Sequence, residues 1–394
     1  MDAASAHGDA MKLRDVAGIT DIGRQRDSNQ DAYVTLPDIG IIAVADGMGG
    51  LSHGNVASNT AVNTLKAAHE ALSRIVAEVD DAPSAKHRVQ LAQGLEFLAH
   101  LAARTIQQAV QGSSSGTTLV CGAFAGGHLV LCHIGDSRAY LIRGDSIRPL
   151  TEDHTVAAAR LRSGLITQAE HDESPLQHIL YQALGTSGEA DPDLLDVPVA
   201  QGDLILMCSD GLTGLVPDRD ILKIIQAHEN LEECAQALVD TANAEGGRDN
   251  ITVVLARAPD ECDPAERVDA RQQRLYASRI LTHLSDNERR MFELYADDHR
   301  VEGGNAVDTQ LGLQVVVEGT ITRGDDELAA VGLLGLSGAA AQTHDVDTDV
   351  RTVLLTPETF ALLEPRRPKL TAHLLRGVLD EIRHLTEHSD TPLP

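Results

Sequence analysis

The sequence predicts an α+β protein whose antiparallel sheets are flanked by helices, followed by a smaller second unit. Three observations carry that prediction. Short apolar runs rich in Val, Ile and Leu recur through the first part of the chain, each closed by Gly or Asp. Their length and β-branching mark strands. Neighbouring runs at 117–124, 128–134 and 137–143 lie only a few residues apart, so they pair as hairpins. Helical stretches come in consecutive pairs rather than one after each strand, which argues against a doubly wound parallel sheet.

Taken in order, residues 1–15 are polar and mixed in charge, with no apolar core that could serve as a signal peptide. A strand is expected at 40–45, then amphipathic helices at 57–79 and 88–110, whose Ala, Leu and Gln content favours helix. Further strands are expected at 117–124, 128–134, 139–143, 203–209 and 250–257. The expected boundaries are a first domain over 1–258, a linker over 259–275 that is rich in Pro, Asp and Arg, a second domain over 276–388 and a tail at 389–394. In the second domain, 284–295 reads as a helix with Ser285 as N-cap and Glu288 as its capping-box partner. Residues 311–330 alternate like a hairpin around Arg323-Gly324-Asp325, and 369–385 form an amphipathic helix.

Composition narrows the function. Lys and Arg total 32 against 59 Asp and Glu, a net charge of −27, and aromatics are only 2% with no Trp. So anionic a chain repels nucleic-acid phosphates and acidic lipid surfaces, and it lacks stacking platforms for single strands. No stretch approaches the roughly 20 apolar residues that span a bilayer. Five cysteines form no C-x-x-C pair, which fits a reduced, cytoplasmic protein without structural disulfides.

Acidic residues stand where strands end. Asp46 follows the 41–45 run and precedes Gly47-Met48-Gly49-Gly50, Asp136 follows 129–134, Asp210 follows 204–209, and Asp249 precedes 250–257. Carboxylates held rigidly at strand ends would repel one another on convergence unless a hard cation neutralised them. Oxygen donors without paired His or Cys point to Mg²⁺ or Mn²⁺ rather than zinc. Arg26 lies in a polar run, Thr20 to Asp31, and its guanidinium fork suits bidentate capture of phosphate.

Seven motifs in order then carry a resemblance. They are Gly23-x-x-Arg26-x-x-Asn29-Gln30-Asp31, Val44-Ala45-Asp46-Gly47-Met48-Gly49-Gly50, Ser115-Gly116-Thr117-Thr118, Ile134-Gly135-Asp136-Ser137-Arg138, Leu150-Thr151-Glu152-Asp153-His154, Cys208-Ser209-Asp210-Gly211-Leu212 and Gly247-Arg248-Asp249-Asn250-Ile251-Thr252. Across 16–258 the chain resembles the bacterial PPM-type metal-dependent Ser/Thr protein phosphatases, the protein phosphatase 2C family. The resemblance implies a four-layer α-β-β-α sandwich that hydrolyses phosphoserine and phosphothreonine in proteins with a metal-activated water. It implies two, or three, Mn²⁺ or Mg²⁺ ions. Asp46 would bridge two of them, the Gly47 carbonyl would bind one, Asp210 and Asp249 the other, and Asp136 a weaker third. Asp31 resembles the residue that holds metal-bound water, and Arg26 the phosphate-binding arginine.

Two departures stand out. Gln30 occupies a position where the family often has Glu, and Met48 stands where eukaryotic members carry a catalytic His. The general acid is therefore unassigned, with His53 and His154 as candidates. Residues 155–185 resemble the flap of bacterial members, suited to recognising a phosphorylated loop.

The C-terminal unit resembles, more weakly, a cyclic-nucleotide-binding β-roll, through Leu284-Ser285-x-x-Glu288-Arg289, the 311–319 strand with its following hairpin, Leu354-Leu355-Thr356-Pro357-Glu358-Thr359-Phe360 and the final helix. At Gly335-Leu336-Ser337-Gly338 the ribose-binding Glu is replaced by Leu336, and Ala340 stands where an Arg would hold the cyclic phosphate. An anionic nucleotide there would stay unpaired. The reading is a degenerate module for dimerisation or partner binding, with nucleotide regulation or a pseudophosphatase as alternatives. The expected partners are a phosphorylated protein substrate, opposite a Ser/Thr kinase, and a second copy of the chain. Neither nucleic acid nor membrane is expected.

Overall fold

The computed structural model describes residues 13–49, 53–110, 115–186, 188, 190–303, 306–307, 313–318, 321–323, 326–328, 344–345 and 349–387. By contact the chain divides into a first unit, Met1–Pro83 with Gln90–Asp263, and a second, Ser84–Val89 with Pro264–Pro394.

In the first unit the strands in chain order are β1 (Val16–Asp21), β2 (Asp31–Leu36), β3 (Ile41–Met48), β4 (Gly116–Thr117), β5 (Leu119–Ala125), β6 (His128–Ile134), β7 (Arg138–Arg143), β8 (Ser146–Pro149), β9 (Asp193–Pro198), β10 (Leu204–Cys208) and β11 (Ile251–Arg257). One sheet runs β2-β3-β5-β6-β9 with β4 on β3, and the other runs β1-β11-β10-β7-β8. Their pairings are antiparallel throughout. The helices are α1 (His53–Ala67), α2 (His69–Asp81), α3 (Ala85–Ala109), whose residues up to Val89 group with the second unit, α4 (Val156–Arg162), α5 (Gln168–Asp172), α6 (Asp210–Thr213), α7 (Asp218–Ala227) and α8 (Leu231–Ala244).

Strand parity explains the layers. Ile251, Val253 and Leu255 share a buried cluster with Ile221 of α7 and with Leu238 and Val239 of α8. Because side chains alternate across a strand, Thr252 and Val254 must face the opposite sheet. There β11 packs on β2 and β3, while α1 covers β2 and β3 and α2 covers β5. The expected α+β sandwich with helices outside follows.

Some elements differ from expectation. The helix expected at 57–79 is two helices, α1 and α2, separated at Ala68, whose ψ of 5° breaks the helical turn. Strands β2, β8 and β9 gave little signal. The first opens on an aspartate, β8 is largely exposed, and β9 carries Asp193 and Asp196 and ends in proline. Buried Asp196 is reconciled with its strand by the His128 imidazole, 3.0 Å away.

In the second unit α9 (Ala265–Tyr276) occupies most of the segment read as linker. It is followed by α10 (Asp286–Tyr295), α11 (Pro357–Arg366) and α12 (Pro368–Glu387). The expected capping box at Ser285 is present, with Ser285 Oγ accepting from the Glu288 amide and Glu288 Oε2 accepting from the Ser285 amide. The strands are β12 (Asp297–Val301), β13 (Ala306–Val307), β14 (Leu313–Glu318), β15 (Ile321–Arg323), β16 (Asp326–Leu328), β17 (His344–Asp345) and β18 (Val350–Leu355). Strands β15 and β16 make the hairpin around 324–325, but β14 pairs with the distant β18. The cassette residues Leu336 and Ala340 lie outside the described residues. Among the described residues no helix is long and apolar enough to cross a membrane.

Candidate active site

Asp46, Gly47, Asp136, Asp210, Asp249 and Arg26 all line one open cleft of roughly 540 Å³, together with Gln30 and Met48. These six residues come from five separate stretches of sequence, so the fold alone brings them together.

Each is held by its neighbours. The Asp46 amide donates to Thr118 Oγ1 at 2.9 Å, and its carbonyl accepts from the Thr118 amide and from Thr117 Oγ1 at 2.9 Å each. The Ser115–Thr118 motif thus pins the end of β3. Gly47 donates its amide to the Gln30 carbonyl, and a Cβ there would collide with the carbonyls of Gly54 and Gln30. Asp136 sits on a tight turn between β6 and β7. Gly135 has φ +108°, and a Cβ on it would lie 2.5 Å from Thr118 Cγ2; only glycine fits. Asp210 opens α6 directly after β10, and the Asp249 carboxylate accepts from the Asn250 amide at 2.8 Å.

Asp31 is placed behind this cleft wall. It is the cross-strand partner of Asp46, and its Oδ2 accepts from Ser209 Oγ at 2.7 Å and Thr252 Oγ1 at 2.6 Å. One carboxylate thereby ties β2 of one sheet to β11 and the end of β10 in the other. Its Oδ1 is buried with no hydrogen-bond partner.

The electrostatics call for a cation. Burial first, then the charges of Asp31, Asp210, Asp136 and Asp249, push the Asp46 carboxyl well above the ordinary carboxylate range. Burial, then Asp210 and Asp153, raises Asp136 to about 8. Burial also lifts Asp31 to about 6, against the hydrogen bonds from Thr252 and Ser209 that favour its charge. Such a set is costly to ionise alone, and its all-oxygen donors and the orphaned Asp31 oxygen fit hard divalent ions.

Arg26 stands across the cleft, its Nη2 2.5 Å from Asp249 Oδ2. Asn250 organises its loop. The Asn250 Nδ2 donates to the carbonyls of Ile22 and Ser28, and its Oδ1 accepts from the Gln30 amide. The sequence motif that contains Asn250 assigns it no role; its adjacency to Asp249 is the signal. No sequence motif marks His178, a cleft residue whose Nδ1 is 3.6 Å from Asp210 Oδ2. The nearby Asp210 carboxylate raises His178 above the ordinary histidine value. A lone histidine in a polar segment offers no pattern to find it by. Of the two histidines singled out, neither is in the described cleft wall. His53 is the exposed first residue of α1, and His154 is buried against Gly135 and Asp193.

Comparison with known proteins agrees with this geometry. Residues 23–256 match the family model described as Protein phosphatase 2C. The chain is 35% identical over 240 residues to the serine/threonine phosphatase stp of Listeria welshimeri, covering 60% of this chain and 92% of that one. It is also similar to the crystal structure of the Mycobacterium tuberculosis serine/threonine phosphatase PstP/Ppp, with a TM-score of 0.55 and 33% identity over 63% of this chain and 99% of that one. A structure of the PstP catalytic domain in complex with two manganese ions matches with a TM-score of 0.50 and 31% identity, covering 62% and 98% of the two chains.

Proposed function

Because this chain belongs to the protein phosphatase 2C family, we propose that its cleft hydrolyses phosphoserine and phosphothreonine esters with the residue roles that follow. The enzyme class itself is serine/threonine phosphatase, and its cofactor is Mn²⁺ or Mg²⁺. In the proposed assignment Asp46, the Gly47 carbonyl, Asp210 and Asp249 hold two cations, and Asp136 contributes to a third. Bound there, the cations supply Lewis-acid stabilisation of phosphoryl oxygens and lower the pKa of a water.

The remaining work falls to the chain. The strand ends fix the carboxylates before substrate arrives, so little reorganisation accompanies the reaction. Arg26, held near Asp249 by one arm of its fork, retains N–H donors to grip a phosphate and align it for in-line attack. Asp31 aims its unpartnered oxygen as an acceptor for a water proton. The water oxygen bonds to phosphorus while the ester bond to the side-chain oxygen breaks; the water gives up a proton to solvent, and solvent returns one to the leaving oxygen. The substrate is a phosphorylated protein, produced by a Ser/Thr kinase. Five buried, unpaired cysteines support a reducing, cytoplasmic setting.

The convergence of four aspartates and Arg26 in one cleft carries this reading. Hydrolysis of a small aryl phosphate tests it, measured with Mn²⁺, with Mg²⁺ and with chelator. Turnover should require a cation, and full activity in excess chelator would reject the mechanism.

For the second unit we propose dimerisation or partner binding. Leu375 and Leu379, one turn apart on α12, are 49% and 60% exposed, which supports a covered apolar stripe. Calorimetry with cyclic AMP and cyclic GMP should show no micromolar binding.

A further inference from the structure

Outside the cleft, three polar side chains form a compact node. The ring centroids of His133, on β6, and His154 are 4.9 Å apart, and His154 Nε2 is 3.4 Å from Asp193 Oδ2 on β9. Both histidines are buried, at 0% and 3% exposure. The three offer donor atoms close enough together to suggest a metal site. Their hydrogen bonds argue otherwise. His154 Nδ1 accepts from the Gly135 amide at 3.2 Å, which leaves the ring proton on Nε2, directed at Asp193. His133 Nε2 is 3.0 Å from the Ser137 carbonyl and so carries its own proton. Burial pushes His133 down to about 4, so this ring stays neutral. One unpartnered imidazole nitrogen, His133 Nδ1, is not enough for a cation.

The node grips the cleft instead. The two histidines hold the residues on either side of Asp136, His154 at Gly135 and His133 at Ser137. The His154 amide also donates to the Gly135 carbonyl at 2.8 Å, so one residue holds both polar groups of Gly135. The His154 carbonyl in turn accepts from the Tyr181 amide at 2.9 Å, and Thr155 bridges to Leu180. Leu180 and His178, just before Tyr181, line the cleft. A contiguous path therefore runs from Asp136 through Gly135 and His154 to the flap.

We propose that His154 is a positioning residue that sets the Asp136 turn and the base of the flap together, through an Nδ1 acceptor for the Gly135 amide and a main-chain carbonyl for Tyr181. The effect on metal binding rests on the reading of Asp136 as a cation ligand; the effect on the turn and flap does not.

The test compares His154→Asn, whose Oδ1 can occupy the place of Nδ1, with His154→Leu, which fills the space without an acceptor. Amide hydrogen exchange at Gly135 and over 155–181 is followed in the full chain, together with a calorimetric Mn²⁺ titration. In His154→Leu, exchange at Gly135 and Tyr181 should accelerate and Mn²⁺ binding should weaken by about tenfold, the scale of one lost hydrogen bond. His154→Asn should retain most of both. If His154→Leu does not fold, His154→Gln replaces it, because its carboxamide reaches the Nε2 position but not Nδ1, and it should behave as the leucine variant would. Unchanged exchange without the acceptor, or equal damage in the asparagine variant, overturns the proposal. Asp136→Ala is the control. If it leaves the Mn²⁺ isotherm unaltered, the cation reading of Asp136 fails, and the exchange data alone decide His154.

Discussion

The floor of the cleft and its rim are built from different material. Asp46 lies near the end of a buried strand and is hydrogen-bonded through both its main-chain groups, and Asp31 behind it joins the two sheets. The rim is Arg26 and His178, whose side chains are 54% and 73% exposed and stand on loops. Groups that must hold repelling charges in fixed geometry sit on strands or on the short turns directly at their ends, where the sheets hold them in place. The exposed groups of the rim sit where they can adapt.

The sharpest way to break that contrast is to remove one floor carboxylate. Asp46→Ala or Asp210→Ala should lower kcat on an aryl phosphate by on the order of 10²–10⁴, as expected for loss of a metal and its chemistry. The metal-free variants should melt no lower than the metal-free parent, because deleting one of several repelling carboxylates relieves the folded state. Near-normal turnover in Asp210→Ala would remove it from the metal set.

A rim substitution should cost less and differently. Arg26→Ala should raise KM by about tenfold with a smaller drop in kcat, because it weakens phosphate capture while leaving every carboxylate in place. Arg26→Lys should rescue only part of the loss, since a point charge cannot reproduce a planar fork. Unchanged kinetics in both would reduce Arg26 to a surface ion pair with Asp249.

The same division governs what the sequence made legible. The floor was readable because its residues stand where apolar runs begin or end: Asp46, Asp136 and Asp210 each break a strand pattern with a charge beside glycine, and Asp249 stands just before such a run. The rim was half readable. Arg26 sits in a motif, but His178 reaches the cleft beside Leu180, which bridges to Thr155, a long-range contact without periodicity. Strand β9 was invisible because its buried Asp196 depends on His128, 68 residues away in sequence. The pairing of β14 with β18 was hidden for a similar reason, since a local alternation cannot say which partner a strand takes.

Acidity separates the two kinds of buried charge. In the metal-free protein Asp136 holds its proton up to about 8 against an ordinary 3.8, so the folded state binds more protons than the unfolded one between those values. Stability must then fall as pH rises through that window. His133 has the opposite sign. Its value falls from 6.5 to about 4, so its contribution is whole above 6.5 and is lost as pH drops towards 4. In chelator the melting temperature should decline between pH 6.5 and about 8, whereas saturating Mn²⁺ should remove that decline and leave only the acid-side loss. Identical profiles with and without Mn²⁺ would mean that the buried carboxylates do not bind it.

The smallest expected effect concerns the second unit. The cleft wall draws its described residues from Arg26 to Asn250 and none from the second unit. A chain ending at Asp263 keeps both sheets and the α7–α8 layer, so its kcat/KM on a small aryl phosphate should stay within about twofold of the full chain, the range of substitutions remote from a site. It should melt lower, however. Arg88 of α3 is 4% exposed and donates to the carbonyls of Glu293 and Ala296, which truncation removes. If the second unit dimerises the chain as proposed, light scattering should report a dimer for the full chain and a monomer for the truncated one, because the Leu375 and Leu379 stripe goes with α12. A truncated protein that is still dimeric would reject the dimerisation role. One that loses turnover while its Mn²⁺ isotherm stays intact would show that the second unit acts on the rim rather than on the floor.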